Sequence, residues 1–189
     1  MLAHLKLSRA FLHGVLLVAL TLIAQADDSL ARAWKPDART AAQDYTQIVH
    51  HKSNTDVVII WWLAPQFLSQ DPQTAAFAKL LDDYVVIGIV EAHVAARTTF
   101  DPIDQLNVAD GGGTILKALN NADMPAPLAN GLIVLQRILT QSMGPMGQGI
   151  HWFVFDGKTV HSCGVGALAI AYGGELYTYE TPIPGCPKI

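Results

Sequence analysis

The sequence predicts an α+β fold: a mostly antiparallel sheet, in its most specific form a distorted two-sheet sandwich, with about three peripheral helices and a C-terminal β-meander clamped by a disulfide. Three observations predict it. Apolar segments rich in β-branched and aromatic residues recur at 57–63, 84–94 and 150–171. Fifteen glycines and ten prolines suit a loop-rich chain better than a long helical bundle. The stretch GQGIHWFVFDGKTVHSCGVGALAIAYGGELYTYETPIPGCP, Gly147–Pro187, is cut by Asp156-Gly157 and Gly173-Gly174 into three apolar runs, the pattern of a three-stranded antiparallel meander. With 189 residues and 51% hydrophobic content the chain can bury one sizeable core, so residues 27–189 are expected to form a single globular domain.

The first 26 residues read as a targeting segment. Lys6 and Arg9 form a positive n-region, Ala10 to Ala24 an apolar core, and Ala24-Gln25-Ala26 a small-residue cleavage signal before Asp27. The apolar run falls short of the ~20 residues a spanning helix needs, and His13 and Gly14 interrupt it. No cysteine near the cleavage site offers a lipid anchor. The expectation is a cleaved signal peptide, a periplasmic or secreted protein, and no stable membrane span after cleavage. The whole chain carries 12 Lys plus Arg against 16 Asp plus Glu. Loss of the leader removes two bases and no acid, leaving a net charge of about −6. An acidic chain without a basic cluster lacks the footprint of a nucleic-acid binder or of a protein that seeks anionic membranes.

Taken in order, Ala38, Ala41, Ala42, Tyr45, Ile48 and Val49 recur at helical spacing, which predicts a helix over 36–52. Pro36 suits its first turn, and His50, His51 and Lys52 suit its C-terminus. Asp56 to Leu63, DVVIIWWL, reads as a strand covered on both faces, with Trp61 and Trp62 pointing to opposite sides. Asp71-Pro72 opens a helix with Ala76, Phe77, Leu80 and Leu81 on its buried stripe, and Tyr84 to Val94 follows as a strand. Strand, helix, strand over this distance is long enough for a parallel crossover. The order, with its Trp pair, is similar to a thioredoxin-like half-domain, except that no cysteine stands at the strand end to give redox chemistry. Ile103 to Lys117 reads as a hairpin around Asp110-Gly111-Gly112-Gly113. A helix from about Leu128 to Met143 presents Leu132, Leu135, Ile138 and Leu139 on one face and is stopped by Gly144-Pro145.

Cys163 and Cys186 are the only cysteines. An exported chain meets an oxidising compartment, and pairing about the Gly173-Gly174 tip sets residue 163 opposite 184, so one irregularity would bring Cys186 into reach. The competing reading, a nucleophilic Cys163 with His161 or His151 as base, rests on His161 and Cys163 sharing a strand face, but no helix N-terminus is at hand to lower the thiol pKa. Glu91 and His93, two apart on a strand, make a usable pair for zinc or proton transfer, with His151 or His161 as a further group. Neither HExxH nor CxxC occurs. Asp101, Asp104, Asn107 and Asp110 recur at intervals of three, not the alternation of a calcium loop, and read as turn formers. The glycines of Gly144–Gly149 follow a helix instead of opening one, which suits a connector better than a phosphate loop. No G-x-S-x-G elbow is present.

The leading functional expectation is a non-catalytic exported binding or cell-envelope protein. Its partner would be an unknown protein or small-molecule ligand, Trp61, Trp62 and Trp152 are the candidate contact residues, and neither cofactor nor metal is expected. The alternative is a hydrolase or metal-dependent enzyme built on Glu91, His93 and His151 or His161.

Overall fold

The computed structural model describes residues 31–34, 46–50, 55–68, 72 and 74–187. The segment 1–26, expected to be a signal peptide, lies outside them. Within them the chain forms strands β1 (Ala31–Trp34), β2 (Thr46–His50) and β3 (Asp56–Trp62), then helices α1 (Pro65–Leu68) and α2 (Ala75–Leu80). Strands β4 (Tyr84–His93), β5 (Thr99–Phe100) and β6 (Asn107–Asp110) come next, then helices α3 (Ala126–Met143) and α4 (Pro145–Gln148), and last β7 (His151–Asp156), β8 (Gly166–Tyr172) and β9 (Glu175–Thr181).

These strands make two sheets. One has four strands in the order β1-β9-β8-β6, antiparallel except for the parallel β1–β9 pair. The other has five, β2-β3-β4 with both β5 and β7 beside β4, all antiparallel. Alternation along the strands sets the layers. Val58, Ile60 and Trp62 of β3, Val85, Ile87 and Ile89 of β4 and Phe155 of β7 meet Leu168, Ile170, Tyr177 and Tyr179 of the facing sheet in one buried cluster. The intervening residues Leu63, Val86 and Val154 point the other way and pack with Ala78, Leu81, Leu128 and Leu132 of the helical layer. The α+β sandwich therefore has three layers: sheet, sheet, helices. Each large apolar side chain buried between them contributes about 1.5–3 kcal/mol. Tyr179 fastens the two sheets: its hydroxyl donates to the Ile60 carbonyl at 2.9 Å and its ring stands edge-on to Trp62 at 5.7 Å.

The β8–β9 hairpin turns at Gly173-Gly174, both at positive φ (62° and 84°), with Tyr172 opposite Glu175. Left-handed conformation at two successive residues is what a tight primed turn demands, and glycine adopts it without strain. Beyond the paired residues, Ile183 N–H donates to Ser162 O at 2.9 Å and Cys163 is joined to Cys186, with Cα atoms 5.4 Å apart.

Four expectations are corrected. The segment Thr46–His50 is strand β2, in register with β3, and not part of a helix over 36–52; its Thr, Ile and Val favour the extended state. His50 accordingly lies opposite Val57 at a strand end, while 36–45 and His51 lie outside the described residues. Strands β3 and β4 are antiparallel neighbours, so no parallel crossover exists and the thioredoxin-like order does not hold. Seven strand residues cover about 23 Å, a return that needs a helix of about 15 residues; α1 and α2 have four and six. Strand β7 pairs with β4, not β8, so Asp156-Gly157 is no hairpin turn and the meander loses its first strand to the other sheet. Gly157 is required for a different reason: a Cβ there would lie 2.7–2.9 Å from the backbone of Tyr84 and Val85. Lastly, Ile138 is exposed on α3, whose buried side is Leu128 and Leu132.

Candidate functional site

The outer face of the five-stranded sheet is not fully covered by the helical layer, and the gap lies where strand register makes one. Ile59 and Trp61 of β3 stand opposite Val90 and Gly88 of β4. Three of these carry large side chains and the fourth carries none. A Cβ on Gly88 would come 2.7 Å from Cζ3 of Trp152 and 3.2 Å from Cγ2 of Ile150, so glycine lets the Trp152 ring lie directly against the β4 backbone. Trp61 packs beside it, its ring 5.7 Å from that of Trp152 and 5.5 Å, edge-on, from Phe67. Leu139 and Met143 from the C-terminal part of α3 and Ile150 complete a cavity of about 230 Å³.

A polar clamp holds this arrangement from the side. Trp152 Nε1–H donates to Gln136 Oε1, and the Gln136 amide donates in turn to the carbonyls of Gly147 at 2.6 Å and Gln148 at 3.3 Å. Helices α3 and α4 are thereby tied to each other and to β7. Gly147 permits the close packing, because a Cβ there would collide with the Leu139 carbonyl. The expected connector at 144–149 is thus a helix turn with a fixed partner. Trp61 differs from Trp152: its Nε1–H is buried with no acceptor among the described residues. An orphaned donor of this kind costs about 1–3 kcal/mol. Among the described residues no charged side chain lines the cavity.

The other candidate residues are dispersed and do not meet at one place. Glu91 accepts the hydroxyl of Tyr172 from the facing sheet. Burial first, and that carboxylate second, hold the Tyr172 phenol well above its ordinary pKa. His93, two residues on, turns to Asp56 across the β3–β4 ladder, Nδ1 to Oδ1 2.6 Å. His151 opposite Ile89 is only diagonal to Glu91, and it lines a polar cleft of about 420 Å³ with Asp104, Gln105, Asn120 and Asn121. His161 is not on a strand with Cys163; both lie in the connection between β7 and β8, where the Cys163 sulfur is in the disulfide and accepts a hydrogen bond from Gln66 Nε2 at 3.0 Å. The nucleophilic-cysteine reading therefore ends in a bonded sulfur. Trp62 is buried against Tyr179 in the inter-sheet core, so of the Trp61–Trp62 pair only Trp61 faces the cavity.

Among the described residues no three His, Cys, Asp or Glu side chains are grouped to hold a metal ion. Of the oxygen-bearing series, Asp110 serves its own turn, Oδ1 accepting Gly112 N–H and Thr114 N–H at 2.9 Å each. These backbone donors, that of Thr114 foremost, lower its pKa against a smaller desolvation effect. No helix among the described residues is long and apolar enough to cross a membrane.

Sequence reasoning missed Gly88, Leu139, Met143 and Gln136. Gly88 alone left a signal, as the one glycine within VVIGIV, a run otherwise built of β-branched residues. Comparison with known protein families, with curated protein sequences and with solved structures finds no match to this chain.

Proposed function

We propose that this chain is an exported, non-catalytic binding protein and that the cavity beside Trp61 and Trp152 is its binding site. The observation that carries the reading is the cavity itself: a concave, apolar surface on a rigid sheet, lined by Ile59, Trp61, Gly88, Val90, Leu139, Met143 and Ile150. Export is supported by the leader sequence and by the Cys163–Cys186 bridge, which suits an oxidising compartment and leaves no free thiol among the described residues. A non-catalytic role is supported by the separate engagements of Glu91 with Tyr172 and His93 with Asp56. The test is a turnover survey of the purified mature protein with ester, phosphate, glycoside and peptide substrates, alongside Glu91→Gln and His93→Ala. Negligible turnover in all three proteins is expected. Robust turnover abolished by either substitution would overturn the reading in favour of a hydrolase.

A further inference from the structure

Resting on that binding reading, we infer that the cavity selects a small uncharged hydrocarbon group, of about the size of a substituted benzene ring, by shape and without a hydrogen bond. Three observations lead there. The described residues of the lining offer aliphatic chains, an indole and the Met143 thioether with no ionised side chain among them, and burial of a charge against such a wall is strongly disfavoured unless a partner is present. Neither indole N–H is offered to a guest: that of Trp152 is bound to Gln136, and that of Trp61 is buried out of reach of solvent. A ligand can then be held only by dispersion and by removal of apolar surface from water. The volume sets the size. An apolar cavity of about 150 Å³ accommodates benzene, and the 230 Å³ here leaves room for a short substituent and too little for a drug-sized molecule.

The walls divide into a fixed part and an adaptable part. Val90 is buried in β4 and Trp61 is wedged between two rings, so the sheet side is rigid. The helix side ends in Met143, 42% exposed, whose unbranched thioether can follow the outline of different guests. The specificity inferred is therefore for absence of charge and for girth, with tolerance for chain or ring.

Toluene and benzoate separate the possibilities, because they share a ring and differ in charge. With the mature protein carrying ¹³C-methyl methionine, toluene is expected to shift the Met143 methyl resonance saturably, and benzoate to do so at least tenfold more weakly. Met143→Trp, a change at an exposed position, is expected to lower toluene affinity, read for this variant and wild type by calorimetric titration, at least tenfold while leaving the thermal midpoint nearly unchanged. If benzoate shifts Met143 as readily as toluene, the claim of charge exclusion fails while the cavity remains a binding site. If neither probe moves the Met143 methyl, both this inference and the placement of the binding site are overturned. The wild-type resonance decides the matter even where Met143→Trp folds poorly.

Discussion

At the scale of single residues, Tyr172 shows how a side chain that would suit catalysis is occupied by structure. Its hydroxyl spans from β8 to Glu91 on the facing sheet, so loss of the hydroxyl leaves a partly buried carboxylate without its donor. Tyr172→Phe should therefore lower stability by about 1 kcal/mol in urea denaturation near neutral pH. The pH dependence has a definite sign. Because the folded phenol ionises above the unfolded one, its contribution is complete below the unfolded pKa, near 10, and is lost as pH rises through the higher folded value. The stability difference between wild type and Tyr172→Phe should thus shrink above pH ~10, and absorbance titration should show a late phenol that the substitution removes. Nothing in the sequence pairs position 172 with position 91. The spacing of Glu91 and His93 correctly puts them on one strand, yet each takes a different partner, because cross-strand neighbours depend on sheet order. Trp61 and Trp62 were legible to a finer degree: alternation alone sends them to opposite faces, and the structure buries one between the sheets and sets the other at the cavity.

At the scale of elements, the β8–β9 hairpin was readable in detail and the segments around it were not. Two successive glycines dictate the turn, the turn dictates the register, and the register brings Cys163 close to Cys186. The bridge closes a loop with a sequence separation of 23. Chain entropy gives such a closure about 3 kcal/mol, so a Cys163→Ala/Cys186→Ala double variant should lose unfolding free energy of this order, as obtained from denaturant midpoint and slope together. A result near zero would mean that the Ile183–Ser162 hydrogen bond and the packing of Ile183 suffice to hold the C-terminal segment. Asp156-Gly157 looks identical to a hairpin signal in one dimension, but this glycine serves a close approach to β4 and not a left-handed turn. Thr46–His50 illustrates the opposite ambiguity. Alanines upstream extend a helical period into a segment whose own β-branched residues pair with β3.

At the scale of the whole molecule, two sheets and a helical layer share one central sheet, and β3 and β4 carry both interfaces. Tyr179 is a buried link between the sheets, its hydroxyl on the Ile60 carbonyl. Tyr179→Phe should cost about 1 kcal/mol and Tyr179→Ala about 3–5 kcal/mol, both measured by equilibrium unfolding, since the second also opens a void against Trp62. The fold class was legible because continuous apolar strands must be covered twice. The cavity was not, because it arises from what α3 fails to cover, a property of docking that no local pattern encodes. The transfer of the chain from one sheet to the other between β7 and β8 has a mechanical consequence. The end of that crossover is bonded to Cys186, whereas β9 lies inside its sheet between β1 and β8. Tension applied at the C-terminus is therefore delivered to the crossover at Cys163 before it reaches β9, and the terminal strand is shielded from being unzipped by a pull on its own tail.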